Sequence, residues 1–250
     1  MERRRFLDRI HNALGKSRPS LESVDTGDAA RVLAAVTGRT PAQRKALVKR
    51  LQINAQELHV ALHLCKKVGD AGRGIVQLVE NKNPEWGTTK QVVAWDHPLI
   101  GQLGLEKRLA DIGVGYRITP SRMAERPKSE TPQHYFRQQT KDVVTHAFVG
   151  VTSADYCLAE TATLVLKTRP GEARSVSLLP SIHAAVIKQN RILADFKELC
   201  ALLSYDAHEH REGLTNCLTL ISGPSKTADI EAVMVEGVHG PREVHLYVIL

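Results

Sequence analysis

The chain has 250 residues, of which 42% are hydrophobic and 24% are charged, and its formal net charge is +7. This length and composition are typical of a globular protein with a large buried core, and they exclude wholesale disorder. Because it has neither an apolar run of about 18 residues nor an N-terminal secretory signal, we expect a cytoplasmic protein with no membrane span.

The net positive charge is concentrated near the N-terminus. Residues 1–50 hold twelve Lys and Arg against five acids, a difference that equals the whole net charge. Such a segment either presents the solvated faces of helices or forms a docking surface for an acidic partner. No nucleic-acid recognition motif accompanies the charge, so we do not expect a nucleic-acid partner.

The first part of the chain, residues 1–66, is predicted to be a helical segment. Phe6, Ile10 and Leu14 recur at a spacing of four, which indicates a short amphipathic helix. Helices are predicted, with a linker at 18–27, over residues 2–16, 28–36 and 41–67.

The pattern changes after this segment, and residues 67–250 are predicted to form an α/β domain. Short apolar runs, typical of strands, alternate there with helical stretches. The predicted strands are 74–79, 91–95, 114–118, 147–151, 162–166, 183–187, 218–221 and 244–249, and the predicted helices are 191–203 and 228–235. Residues 121–142 are polar and indicate a long excursion or lid. We therefore expect a largely parallel, Rossmann-like sheet.

Three loops of this domain carry the candidate site residues, because ligands bind where the strands of such a sheet end. The first loop, residues 152–163, supplies the candidate catalytic residues Glu160 and Asp155, and the third, residues 237–241, supplies His239. The candidate ligand-binding residues are Thr152, Thr161, Thr163, Ser222, Gly223, Ser225, Lys226, Thr227, Asp229 and Gly240.

The second loop, residues 222–231, is predicted to bind an anion. Small and hydroxyl residues precede a predicted helix whose free N–H groups favour negative charge, and Lys226 adds a cation. We expect Glu160, Lys226 and Asp229 to share one pocket. The bland alternatives are that Asp155 and Glu160 cap helices or turns, and that the second loop caps a helix.

No metal or cofactor site is predicted in this chain. His59 and His63 are four residues apart on a predicted helix, but no third ligand accompanies them. The four cysteines, at 65, 157, 200 and 217, form no C-x-x-C pair and lack the spacing of an iron–sulfur site, so we expect reduced thiols.

Four motifs in this part of the chain resemble the lactate-utilization protein C family, whose members carry the LUD domain. They are residues 150–166 (GVTSADYCLAETATLVL), 177–183 (SLLPSIH), 222–231 (SGPSKTADIE) and 237–245 (GVHGPREVH). One departure is Ala162, where the family usually has Gly. If the chain makes a left-handed turn or a ligand approaches closely there, the Ala side chain would leave less room than Gly.

This resemblance implies a fold similar to the group of ribose-phosphate isomerase, glucosamine-phosphate deaminase and CoA-transferase. It also implies an accessory or subunit protein of an iron–sulfur system that oxidises L-lactate to pyruvate. The iron–sulfur clusters are then expected on partner proteins, and the chain itself binds a small anion. An alternative is an acyl- or phosphoryl-transfer enzyme of CoA-transferase type with Glu160 as nucleophile or base.

Overall fold

The computed structural model describes residues 26–85, 87–120, 132–212, 215, 217–228, 234–236 and 239–250. The predicted helix over 2–16 and most of the linker at 18–27 lie outside these residues. None of the described helices is long and apolar enough to cross a membrane.

Eight α-helices lie in the described part of the chain. They are α1 (Thr26–Thr37), α2 (Pro41–Glu57), α3 (Val68–Asn81), α4 (Pro98–Gly101), α5 (Leu105–Ala110), α6 (Pro132–Val144), α7 (Phe196–Tyr205) and α8 (Ala207–Glu212). Short 3₁₀ helices cover Arg174–Ser177 and Gln189–Arg191.

Twelve strands are described with them. They are β1 (Val60–Cys65), β2 (Gln91–Ala94), β3 (Gly115–Ile118), β4 (Val149–Ser153), β5 (Tyr156–Leu158), β6 (Thr163–Lys167), β7 (Ile182–Lys188), β8 (Ile192–Leu193), β9 (Leu218–Ile221), β10 (Lys226–Ala228), β11 (Met234–Glu236) and β12 (Glu243–Ile249).

A six-stranded sheet organises the fold, in the order β1-β12-β7-β4-β2-β3, and every pair in it is parallel. Its strands are rich in buried Val, Ile, Leu and Ala, as expected for a sheet covered on both faces. The predicted α/β class with a parallel sheet is confirmed.

Different elements cover the two faces of this sheet. On one face, helices α3, α4 and α5 bury Ile75, Ile100 and Leu109 among others. On the other face lie α2 and a second sheet of order β8-β5-β6-β9. The far side of the second sheet packs against α7 and α1. Because of this second sheet, the fold has more layers than a simple doubly wound domain.

Two predicted elements near the start of the domain are wrong. The predicted helix over 41–67 ends at Glu57, and β1 follows it and pairs with β12 at the sheet edge. His63 therefore lies on a strand, so His59 and His63 do not share a helix face. The predicted strand 74–79 is part of helix α3, where Ile75, Leu78 and Val79 are buried at helical spacing.

Three other predicted elements need correction. The helix predicted over 191–203 begins only at Phe196, where the Asp195 side chain caps it, and β8 precedes it. The helix predicted over 228–235 is flanked by strands β10 and β11, which pair antiparallel; residues 229–233 between them lie outside the described residues. Part of the predicted lid is helix α6, and 121–131 lie outside the described residues.

Candidate functional site

The connections of the parallel sheet create a crevice between the carboxyl ends of β2 and β4. From β2 the chain continues to β3 on one side, whereas from β4 it continues towards β7 on the other side. The loops that follow the two strands therefore diverge, which is the arrangement that places a ligand site in α/β sheets.

A cavity of about 300 Å³ lies at this crevice, and we call it the carboxyl-edge cavity. Residues at or after the ends of β2, β4, β6 and β7 line it together with two residues of α8. They are His97, Pro98, Leu99, Gln102, Ser153, Ala154, Asp155, Arg169, Lys188, Arg191, His208 and Glu209. The lining is thus mostly polar and contains both charge signs.

Asp155 lies just after the carboxyl end of β4, where two donors hold its carboxylate. Its Oδ2 accepts a hydrogen bond from the Lys167 backbone N–H at 2.7 Å, and its Oδ1 lies 2.8 Å from the Arg169 guanidinium. Arg169 also pairs with Glu172 at 3.0 Å. Since both Asp155 oxygens are engaged, this carboxylate fixes the loop after β4 and orients Arg169 rather than acting as a free base.

Glu209 anchors a buried polar network beneath the cavity. Its Oε2 accepts from Lys167 Nζ at 2.6 Å, and its Oε1 accepts from the Tyr156 hydroxyl at 2.7 Å. Burial and the bond to Glu209 raise the pKa of Tyr156, which therefore stays a donor. Arg191 donates to the same hydroxyl at 3.2 Å and lies over the Tyr156 ring. The network fixes the position of Arg191 at the cavity.

Two cations line the cavity without an ion-pair partner among the described residues. In the described part of the chain, neither Lys188 nor Arg191 forms an ion pair with a carboxylate. Both side chains come from residues that follow the core of β7 and both are solvent-exposed. Because the carboxylates of Asp155 and Glu209 already have cationic partners, the unpaired cations favour an added anion.

His97 lies opposite these cations, in the loop after β2. Its Nδ1 accepts a hydrogen bond from the Leu99 N–H at 3.1 Å, so the ring caps the short helix α4. Burial lowers the pKa of His97, which keeps the imidazole neutral near pH 7. The cavity therefore combines exposed cations with one neutral ring.

The predicted site residues divide between several places. Asp155 lines the carboxyl-edge cavity, whereas Thr152 is buried in the sheet, with its Oγ1 2.8 Å from His183 Nε2. His239 is exposed, and Gly240 lines a different cavity at the amino ends of the strands. Asp229 lies outside the described residues.

Most of the remaining predicted residues border helix α2. We call the two segments that hold them, residues 159–163 and 222–226, the α2 loops. Glu160 pairs with Arg50 of α2 at 3.0 Å, and Lys226 Nζ lies 3.1 Å from His59 Nδ1, just after α2. The prediction that Glu160, Lys226 and Asp229 share one pocket stays a prediction.

Three hydroxyl groups connect the two α2 loops. Thr163 Oγ1 lies 2.7 Å from Thr161 Oγ1 and 2.7 Å from Ser222 Oγ. This contact exists because β6 and β9 are antiparallel, so the start of β6 meets the end of β9. The loops therefore meet at the second sheet and not, as predicted, at the carboxyl edge of the parallel sheet.

The second α2 loop approaches the end of helix α2 closely. Gly223 has a φ of +94°, and a Cβ there would lie 2.7 Å from the Leu58 carbonyl oxygen. Ser225 donates its N–H to the Pro241 carbonyl at 2.8 Å. Lys226 and Thr227 begin strand β10, so the predicted helix N-terminus for an anion is wrong at these residues.

Sequence reasoning missed His97, Arg169, Lys188, Arg191 and Glu209. A signal existed for His97 and Lys188, because each follows a correctly predicted strand at its carboxyl end. Arg169 also follows a predicted strand, 162–166, but that strand lies in the second sheet, and Glu209 had no such signal because helix α8 brings it to the cavity. Within the described residues, no group of His, Cys, Asp and Glu is arranged to hold a metal ion.

Comparison with known proteins gives a family match over most of the chain. The family model described as the LUD domain matches residues 48–249. A lactate utilization protein C of Halalkalibacterium halodurans is 33% identical over 66% of this chain and 64% of its own length. One from Shouchella clausii is 29% identical over 94% of this chain and 92% of its own length.

A further relative is the uncharacterized protein YkgG of Escherichia coli, 30% identical over 76% of this chain and 68% of its own length. The alignment to the Halalkalibacterium protein thus spans slightly less than two thirds of that relative. Among solved structures, a DUF162 family protein from Deinococcus radiodurans is similar, with a TM-score of 0.51 and 20% identity. The match covers 83% of this chain and 98% of that one. It supports the fold.

Proposed function

Because this chain belongs to the LUD domain family, we propose that it serves in lactate utilization and binds a small organic anion in its carboxyl-edge cavity. Several relatives are named lactate utilization protein C, which supports the first half of the proposal. The observation that carries the second half is the pair of cations, Lys188 and Arg191, that line the cavity without a carboxylate partner in the described residues.

The charges around the cavity support an anionic ligand of low charge. Lys167 and Arg169 already pair with Glu209, Asp155 and Glu172, whereas Lys188 and Arg191 have no carboxylate partner in the described residues. A carboxylate ligand would pair with these two cations, and the volume of about 300 Å³ suits a molecule of a few heavy atoms.

Binding of L-lactate and pyruvate to the purified full chain, measured by ligand-observed NMR or calorimetry, tests this proposal. Replacing Lys188 by Ala should weaken binding by about 1.5–3 kcal/mol, the usual range for a hydrogen bond to a charged group. Lys49→Ala is the matched control, because Lys49 is an exposed lysine of α2 that does not line the cavity. Equal affinities in the wild type and Lys188→Ala would contradict the proposal.

We also propose that the partners are iron–sulfur proteins of L-lactate oxidation, with the basic N-terminal segment as the docking surface. The concentration of the net charge in residues 1–50 supports this. Immunoprecipitation from lactate-grown cells should recover partners with the visible absorption of iron–sulfur clusters. The association should weaken at high salt, and a salt-independent association would argue against electrostatic docking.

A second candidate function is acyl transfer through Glu160. Its side chain is 51% exposed and is held beside Arg50, so the carboxylate is accessible to a thioester. A Glu160 oxygen would attack the thioester carbonyl, CoA thiolate would leave, and a glutamyl anhydride would form. Incubation with acetyl-CoA followed by hydroxylamine would then mark Glu160 as a hydroxamate. An unmodified Glu160 would exclude this function for the probe used.

A further inference from the structure

The ring of His97 is fixed in one tautomer by its own backbone. Its Nδ1 accepts the hydrogen bond of the Leu99 N–H at 3.1 Å, as the cap of helix α4. A nitrogen that accepts cannot carry the hydrogen, so in the neutral ring the hydrogen is on Nε2. Within the described residues, Nε2 makes no hydrogen bond, and it is therefore the nitrogen available to the cavity that His97 lines.

The surroundings keep this ring neutral. Burial lowers the pKa of His97, and Asp155, across the crevice, opposes that effect only in part. The other charged groups that act on the ring are Arg169, Asp96 and Lys188, of which the two cations also lower the pKa. His97 thus offers an N–H donor without adding positive charge to the cavity.

The positions of the strands separate this donor from the cations. His97 follows β2, and Lys188 ends β7, with β4 between them. Adjacent strands lie about 4.8 Å apart, so the two strand ends are roughly 10 Å apart. Side chains that extend into the cavity from both ends can contact opposite ends of one small molecule.

We propose that His97 is a specificity-determining residue of the carboxyl-edge cavity. Its Nε2–H donates a hydrogen bond to an uncharged oxygen that neighbours the carboxylate of the bound anion. The preferred ligands are then carboxylates with an adjacent hydroxyl or carbonyl, and this inference rests on the proposed anion site.

The physical reason for selectivity is the cost of an unmet donor. When an anion without the second oxygen fills the cavity, it excludes water from Nε2–H and gives it no acceptor. A site built to hydrogen-bond one oxygen discriminates against analogues that lack it more strongly than a site shaped only by apolar contacts.

Two substitutions distinguish the role of the His97 Nδ1 atom from the role of its Nε2 atom. In His97→Asn the side-chain amide can reach the Nδ1 position and can keep the cap on Leu99, but nothing reaches the Nε2 position. In His97→Gln the amide reaches the Nε2 position. Binding of L-lactate and of propionate, which lacks the 2-hydroxyl, is measured for the full chain by calorimetry or ligand-observed NMR.

We expect the wild type to prefer L-lactate over propionate by roughly 5- to 150-fold, as for one buried donor left without an acceptor. His97→Asn should lose this preference, because L-lactate loses its donor and propionate no longer leaves a donor unmet, while the urea midpoint stays nearly unchanged. His97→Gln should keep the preference but lower the urea midpoint, because the cap is weakened. A His97→Asn variant that still prefers L-lactate would overturn the inference.

Two binding outcomes separate the role of His97 from the existence of the anion site. If Lys188→Ala weakens both ligands but His97→Asn changes neither, the anion site stands and the role of His97 is wrong. If the wild type binds neither ligand, the proposed function fails and the inference fails with it. Long-range ¹H–¹⁵N NMR adds a test without ligand: a hydrogen on Nδ1 at neutral pH would overturn the assigned tautomer.

Discussion

The carboxyl-edge cavity and the α2 loops contain similar residue types in opposite surroundings. Beneath the cavity, the side chains of Lys167 and Glu209 are 3% and 6% exposed, whereas those of Arg50 and Glu160 at the α2 loops are 46% and 51% exposed. Each is an ion pair between a basic residue and a glutamate, with an N–O distance of 2.6 Å in the buried pair and 3.0 Å in the exposed pair. Water screens the second pair but not the first, so only the buried pair is expected to matter strongly for folding.

The largest expected effect is the loss of the buried pair. Lys167→Ala should lower the free energy of unfolding by about 3–5 kcal/mol, because it leaves the Glu209 carboxylate buried without its cation. Arg50→Ala should cost at most about 1 kcal/mol, because its pair is exposed. Urea denaturation of both variants tests this contrast, and equal losses would contradict it.

A double variant sharpens the same comparison. Lys167→Met with Glu209→Leu removes both charges and should recover much of the stability that Lys167→Ala loses, since no buried charge remains unpaired. Tyr156 would still accept a hydrogen bond from Arg191, but its hydroxyl hydrogen would lose its acceptor, so the recovery should be incomplete. A double variant as unstable as Lys167→Ala would show that packing, and not charge, dominates at this site.

The next effect is a loss of stability at acidic pH, and it comes from His183, a fully buried residue of β7. Burial, with a smaller contribution from His245, lowers the pKa of His183 to about 3, whereas the unfolded chain should titrate near 6.5. Between these values the unfolded state binds more protons, so stability falls as the pH falls. From pH 7 to pH 5 the loss from His183 should be about 2 kcal/mol.

His183→Gln should flatten this part of the pH dependence in urea unfolding curves between pH 7 and 5. His63 and His245 have lowered pKa values as well, mainly because of burial, so part of the slope should remain. His146→Gln is the control, because His146 is exposed. An unchanged slope in His183→Gln would show that His183 is not the source of the acid sensitivity.

A smaller effect is expected where the first α2 loop is attached to α2. Asn54 donates from Nδ2 to the Ala159 carbonyl at 2.7 Å and to the Glu160 carbonyl at 2.8 Å. Asn54→Ala should lower the free energy of unfolding by about 1–2 kcal/mol, because two carbonyls lose their donor. Gln52→Ala, at an exposed position of the same helix, is the control for helix propensity.

The smallest predicted effect is at Ala162, in the first α2 loop. Its φ is +44°, in the left-handed region, and its methyl group is fully buried. Ala162→Gly relieves about 1–2 kcal/mol of backbone strain but removes a methyl worth about 0.8 kcal/mol and adds chain entropy. The variant should therefore change the free energy of unfolding by no more than about 1 kcal/mol, as measured in urea.

Much of the fold could be predicted because apolar runs identify buried strands. The predicted strands at 91–95, 183–187 and 244–249 correspond to β2, β7 and β12 in the centre of the parallel sheet. The prediction failed at 74–79 because a short apolar run fits a strand and a buried helix face equally well. Gly72 in that helix is explained by packing, since a Cβ there would lie 2.3 Å from the Leu103 carbonyl oxygen.

Less of the candidate site could be predicted. Asp155 was expected from the polar loop after a strand, and it does line the cavity. The positions of Arg169 and Glu209 at the cavity could not be predicted, because they depend on the second sheet and on the docking of helix α8. The second sheet also redirected Thr163 and Ser222, which meet through the antiparallel pairing of β6 and β9.

By itself, the sequence determined the α/β class, the central strands, the family motifs and the concentration of positive charge near the N-terminus. These are local properties, since composition, periodicity and motifs are read within short stretches of chain. The tertiary structure alone decided the strand order, and with it the crevice between β2 and β4 where His97, Asp155 and Lys188 meet. The physical reason is that pairing between distant strands depends on the packing of the whole core.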